Sequence, residues 1–364
     1  MSEIRHNWSK EEILAIYNKP LMELLYDAAT IHRLHHNPNT VQVSTLLSIK
    51  TGGCSEDCGY CPQAARYHTD VDGNDLMGVQ QVKAQAMRAK ASGSSRVCMG
   101  AAWRNVKDGE EFDQVLEMVR TINKLDMEVC CTLGMITENQ AKRLAEAGLY
   151  AYNHNLDSSE EYYKEVISTR AFQDRLDTID NVRKTNVTVC SGGIIGMGEK
   201  EEDRAGMLVA LSTLNPQPES VPINALVAVE GTPLEEEKPV EIWDMIRMVA
   251  TTRIVMPETQ VRLSAGRTQM SREGQAMCFF AGANSIFAGD KLLTTPNPDV
   301  NEDMKMFELL GLNPQKPFTK KVQPPTVEAK DSEFQSLGEK PKWTRPDHTI
   351  ERNEKSKEKA KALK

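Results

Sequence analysis

At 364 residues with 40% hydrophobic side chains, the chain is long enough for a barrel-sized core, which takes about 250 residues. No apolar run reaches the roughly 20 residues of a spanning helix and the N-terminus MSEIRHNWSKEE is polar, so neither a membrane span nor secretion is expected and a cytoplasmic location is. A net charge of -8 with no basic stripe argues against nucleic acid, and eight cysteines without a secretory signal favour metal ligation and free thiols in a reducing compartment over a disulfide framework.

Residues 1–40 read as a helical extension, with helices in EEILAIYNKP and LMELLYDAATIHRLHHN. From residue 41 onward, β-rich runs alternate with amphipathic helical stretches. The runs are VQVSTLLSI, SRVCMG, MEVCCTLG, LYAYNHN, NVTVCSGG, SVPINALV, QVRLSAG and ANSIFAG. Between the third and fourth, Thr137 and Gln140 have the spacing of a capping box opening TENQAKRLAEAG, with Gly148 placed to end the helix. Eightfold βα alternation predicts a (β/α)8 barrel over 41–314. Residues 315–364 are rich in Lys, Glu and Pro with few apolar side chains; that composition predicts a mobile, disordered tail.

Just after the first predicted strand comes CSEDCGYC, with Cys54, Cys58 and Cys61 spaced x3 then x2. A structural zinc site closes itself with four ligands, and an electron-carrying iron–sulfur cube uses four cysteines. Three thiols with none close by instead suit a cubane cluster that keeps one iron open for chemistry. A zinc site or plain packing remains the bland alternative.

Barrel active sites lie at the C-terminal ends of the strands, and this chain places polar side chains there. Cys98, Cys130 and Cys190 each fall near the end of a different predicted strand, so three thiols can meet inside one mouth, although cysteine is also a common small core residue. Cys131 should point opposite to Cys130, and Cys278 lies in the helical QAMCFFAG; both read as packing residues. Asn153 and Asn155 alternate around His154 and share a strand face, with Asp157 following at the strand end. His154 reads as a packing or supporting residue. Arg262 reads as a salt-bridge partner of some carboxylate, because arginine is a charged donor and not a metal ligand.

The segments CSEDCGYCPQ, VCMGAAW, YNHNLD, VCSGGIIGMGE, VPINALV, VRLSAGR, AGANSIFAG and KLLTTPNP closely resemble the biotin synthases, a family of radical S-adenosylmethionine (SAM) enzymes, over about residues 40–314. The resemblance implies a sulfurtransferase on a (β/α)8 barrel that inserts sulfur into dethiobiotin. It implies a [4Fe-4S] cluster on Cys54, Cys58 and Cys61 that cleaves SAM, and a [2Fe-2S] cluster on Cys98, Cys130, Cys190 and Arg262 that donates sulfur. Tyr60, Asn155, Asp157, Arg175 and Ile194 match SAM-contacting positions, and Asn155 with Asn224 match positions near the ureido ring of the substrate. Gly192, Ile194, Gly196 and Glu199 fit the family's GxIxGxxE pattern. Implied partners are a flavodoxin- or ferredoxin-type electron donor, iron–sulfur assembly machinery and a second copy in a homodimer. Two rivals are another radical SAM enzyme with an accessory cluster and a non-enzymatic iron–sulfur or zinc protein.

Overall fold

The computed structural model describes residues 4–289 and 291–319. Most of the segment expected to form a tail thus lies outside the described residues. The chain opens with two helices. Lys10–Tyr17 starts at a capping box in which Ser9 and Glu12 satisfy each other's backbone N–H groups, and it buries Ile13 and Tyr17. Leu21–His35 buries Leu24, Leu25, Ala28 and Ala29 and packs against helix Ile242–Val255. Arg247, on that helix, holds the link between the two N-terminal helices by donating to the carbonyls of Tyr17 and Lys19 at 2.7 and 2.8 Å.

Ten strands follow: β1 (Thr40–Lys50), β2 (Arg96–Ala101), β3 (Glu128–Thr132), β4 (Ala151–Asn153), β5 (Thr188–Cys190), β6 (Gly193–Ile195), β7 (Ser220–Ala225), β8 (Gln260–Leu263), β9 (Ser285–Ala288) and β10 (Asn313–Pro314). The order β1-β2-β3-β4-β5-β7-β8-β9 is parallel throughout and closes by pairing β9 with β1, the (β/α)8 barrel that the alternation predicts. All eight expected runs supply a barrel strand. The predicted cap is also present: Thr137 opens helix Glu138–Glu146 with Gln140 as its reciprocal partner, and Gly148 follows it at φ +90°, a conformation that favours glycine.

One feature goes beyond the alternation. The fifth wall strand is broken into β5 and β6, both lying along β7. Ser191 donates to the Ser220 carbonyl, so Pro222, two residues on, faces the same neighbour; with no N–H to offer, it sits opposite the break. A Cβ on Gly192 would lie 2.0 Å from the Pro222 carbonyl oxygen, and one on Gly193 2.5 Å from that of Asp157. Glycine there lets three backbone segments touch.

The barrel floor is ionic. Arg96 is fully buried, with Nε 2.8 Å from Glu128 and both Nη atoms on Glu219 at 3.1 and 3.0 Å, and its guanidinium lies 4.9 Å from the Tyr150 ring centroid. The chain continues past β10 beneath this layer. Gln315 donates to the Val41 carbonyl at 2.8 Å, the Phe318 N–H donates to Glu128 at 2.7 Å, and the Phe318 ring meets Tyr150 edge-on at 5.9 Å.

Candidate active site

The loop bearing Cys54, Cys58 and Cys61 is fixed by its own acidic residues. The Asp57 carboxylate accepts from the backbone N–H groups of Ser168 and Thr169 at 2.9 and 3.0 Å and from the Ser168 hydroxyl, while Gly59 N–H donates to the Val166 carbonyl at 2.9 Å. Burial alone would push the Asp57 pKa up, but these donors outweigh it and hold the carboxyl below its ordinary range. The cysteine loop and residues 166–170 therefore form one clamped unit. Arg170, at the end of that unit, is buried and places Nη2 3.9 Å from Cys58 Sγ.

The three thiols open into a cavity of about 320 Å³ at the C-terminal end of the barrel, lined also by Cys98, Cys130 and Arg262. Burial pushes all three loop thiols up in pKa, Cys61 to about 12. Burial thus favours the protonated thiols, and a bound cationic metal centre would have to supply the charge that stabilises them as thiolates. Among the described residues no three His, Cys, Asp or Glu side chains converge closely enough to hold a single metal ion.

Deeper in the barrel, Cys98 and Cys130 lie directly opposite each other in the β2–β3 register. The Cys98 thiol is pushed below its ordinary value by a hydrogen bond from Cys130, with Arg262 and Arg96 assisting against burial; Cys130, the donor, is pushed up. Cys190, fully buried, accepts from Asn153 Nδ2 at 3.2 Å and lies 3.9 Å from Arg262 Nη1. Cys131 points away into the main core, as does Cys278, as the strand alternation predicts.

Arg262 forms no ion pair with a carboxylate among the described residues, contrary to the plain expectation for a buried arginine. It donates to Ser285 Oγ and Gln42 Oε1, both at 2.9 Å, and its guanidinium lies 4.6 Å from the Phe287 ring centroid. Neutral acceptors and a thiol surround it. One Nη atom is thus left facing Cys190 without a competing anion.

The remaining sequence-derived residues gather on the same cavity: Tyr60, Asn153, His154, Asn155, Asp157, Arg175, Ile194 and Asn224 all line it. Asp157, at φ +69°, is held by Tyr60 Oη at 2.8 Å and by Arg175, whose Nε donates to Tyr163 Oη at 2.9 Å. Asn155 accepts from Gly192 N–H at 3.2 Å. Asn224 bridges the Gly193 carbonyl and the Ala265 N–H at 2.9 and 3.1 Å, so both asparagines also stitch the β5–β6 break. His154 is buried with Nε2 unpartnered among the described residues, and burial holds its pKa well below the usual range. Glu199 does not reach the cavity; it accepts from the N–H groups of Gly196 and Met197 and pairs with Arg204 at 2.8 Å, closing the turn after β6. Arg170, Glu56 and Trp103 also line the site, and nothing in their local sequence signals it.

A closed parallel barrel with a three-cysteine loop at its mouth defines a radical SAM enzyme. The chain matches the Radical SAM superfamily over residues 48–211 and the Biotin and Thiamin Synthesis associated domain over residues 222–313. Among solved structures it resembles methylornithine synthase (TM-score 0.72, 17% identity, covering 85% of this chain and 94% of that one). It also resembles the FeFe-hydrogenase maturase from Carboxydothermus hydrogenoformans (TM-score 0.70, 16% identity, 85% and 76%); at such identities the likeness concerns the fold alone. Closer in sequence are the biotin synthase of Flavobacterium psychrophilum, 87% identical over 353 residues (97% of this chain, 98% of that protein), and the mitochondrial biotin synthase of Arabidopsis thaliana, 56% identical over 333 residues (91% and 86%). The chain belongs to the biotin synthase family. Membership in the radical SAM class implies SAM and an iron–sulfur cluster as cofactors. No helix among the described residues is long and apolar enough to cross a membrane.

Proposed function

We propose that this chain converts dethiobiotin to biotin by radical insertion of sulfur. The observation that carries this reading is the convergence on one cavity of two separate thiol sets, Cys54, Cys58 and Cys61 from the loop and Cys98 and Cys130 from the strands, with Cys190 and Arg262 completing the second. When bound, a [4Fe-4S] cluster with SAM supplies a hydrogen-abstracting radical, and a [2Fe-2S] cluster supplies the sulfur atom.

The chain's part is to bind, orient and exclude. Cys54, Cys58 and Cys61 hold the first cluster, and the Asp57 clamp fixes their loop so that three ligands keep one geometry. Cys98, Cys130, Cys190 and Arg262 hold the second. Ser285 and Gln42 take the other guanidinium N–H groups, which fixes the orientation of Arg262. Asp157 offers its carboxylate to ribose hydroxyls, Arg175 its cation to the methionyl carboxylate, and Tyr60 and Ile194 flank the adenine. Asn155 and Asn224 present amide donors and acceptors that match the mixed hydrogen bonding of a ureido ring. Leu46, Phe287, Leu292 and Leu293 give the cavity apolar walls that exclude water and other hydrogen donors.

Residues 41–314 form the catalytic barrel and 1–40 its helical extension. A low-potential flavodoxin- or ferredoxin-type protein delivers electrons, assembly machinery supplies the clusters, and the active form is a homodimer. The test is anaerobic incubation of the cluster-loaded protein with SAM, dethiobiotin and a reductant, followed by mass spectrometry. The reading expects biotin together with 5′-deoxyadenosine and methionine; 5′-deoxyadenosine without biotin would favour another radical SAM reaction.

A further inference from the structure

Arg170 is absorbed by none of the roles above, and its surroundings are unusual for a buried guanidinium. It is 6% exposed and lines the cavity. Its Nη2 lies 3.9 Å from Cys58 Sγ, its Nη1 lies 3.8 Å from Glu56 Oε1, and its Nε–H is buried without a partner among the described residues. Glu56 does not neutralise it alone. The same Oε1 lies 3.5 Å from Arg104 Nε and accepts no hydrogen bond, while the other oxygen accepts from the Thr169 hydroxyl. One carboxylate thus faces two guanidiniums. Arg175, itself a cation, adds positive charge near Arg170 and pairs with Asp157. Asp174 acts on the Arg104 and Arg170 guanidiniums as well, but the donor stays spare: a buried cation with an unpartnered Nε–H among the described residues is held beside one thiol of the three-cysteine loop.

That placement is not left to chance. Arg170 follows directly on Ser168 and Thr169, whose N–H groups are held by Asp57, the residue immediately before Cys58. The distance between guanidinium and thiol is set by one short clamp and not by the flexibility of a surface side chain.

Resting on the proposed cluster site, we propose that Arg170 is a positioning residue for electron entry: it donates to the sulfur layer at Cys58 and stabilises the reduced state of the cluster held by Cys54, Cys58 and Cys61. Reduction adds one negative charge to a group already ligated by three thiolates, in a cavity where charges are weakly screened. Hydrogen bonds and cations at the sulfurs are among the factors that set such potentials.

The test is an EPR-monitored redox titration of the full chain, anaerobically loaded with iron and sulfide, with dithionite supplying the electron and no SAM present, so that cofactor binding does not enter. Arg170→Gln is expected to keep full iron content and to lower the reduced-to-oxidised ratio at a fixed potential about tenfold, equal to 59 mV for a one-electron couple; Arg170→Lys should recover most of the difference. Glu56→Gln, which frees both guanidiniums from their shared anion, should shift the ratio in the opposite direction and serves as the independent measurement if Arg170→Gln does not fold. Wild-type potentials in a fully loaded Arg170→Gln protein, or a fall in Glu56→Gln, would overturn the proposal. Failure of the unsubstituted chain to form a [4Fe-4S] signal would instead overturn the cluster site on which it rests.

Discussion

Replacing Arg96 with methionine should destabilise the barrel far more than its distance from the cavity suggests. Arg96 is 0% and Glu128 2% exposed, and the guanidinium makes three charge-assisted hydrogen bonds, one to Glu128 and two to Glu219. Methionine matches much of the volume but leaves two carboxylates under the barrel without their cation. Breaking a buried ion pair by removing one partner costs about 3–5 kcal/mol, because the remaining charge is uncompensated. At roughly 2–4 °C per kcal/mol for a domain of this order, the melting temperature of the cluster-free chain should fall by about 10 °C in calorimetry under reducing conditions. Adding Glu128→Gln and Glu219→Gln removes the stranded charges while keeping hydrogen-bonding groups, and should restore more than half of the loss. Arg96 lies two residues before Cys98 on the same strand face, so the single variant should also retain the second cluster poorly. A single variant melting within about 2 °C of the unsubstituted chain would refute the reasoning.

Cys130→Ser should abolish the [2Fe-2S] absorption while sparing the first cluster, and Cys131→Ser should leave both; the reverse result would show the β3 register to be wrong by one residue. His32 is buried with Nε2 unpartnered among the described residues, and burial, with Arg253 and Arg33, pushes its pKa down to about 3. Its folded pKa thus lies below the unfolded value of about 6.5. The unfolded chain alone takes up that proton, and stability should fall by about 1.4 kcal/mol per pH unit from 6.5 downward. His32→Leu should flatten that slope in denaturant titrations at pH 7, 6 and 5, and an unchanged slope would assign the acid sensitivity to other groups. A chain ending after Pro314 loses the Phe318 N–H bond to Glu128 and the Gln315 contacts; it should unfold about 1–2 kcal/mol more easily than one ending after Thr319, with equal denaturant midpoints as the contrary result.

The barrel was legible because parallel strands buried on both faces read as β-branched runs between helical segments. The Thr137 cap was legible because its partners lie three residues apart. The β5–β6 break was not, since its cause, Pro222, sits on a different strand and acts across the ladder. Arg96 and Arg170 escaped for the same reason: their partners Glu128, Glu219 and Glu56 lie 32 or more positions away along the chain, and no local pattern announces a buried arginine. Arg262 shows the opposite case. On the sequence alone a carboxylate partner was the natural expectation, and only the resemblance pointed to Cys190. The structure surrounds it with Ser285, Gln42, Cys190 and Phe287.

The central claim is that one cavity houses both the radical source and the sulfur donor. It is tested most directly by building the second cluster with 34S-labelled sulfide, removing free sulfide, and running a single turnover with SAM, dethiobiotin and reductant. Biotin carrying the heavy isotope in unsubstituted protein, together with 5′-deoxyadenosine but no biotin from Cys130→Ser, is the expected result. Biotin with unlabelled sulfur, or unimpaired biotin formation by Cys130→Ser, would contradict it.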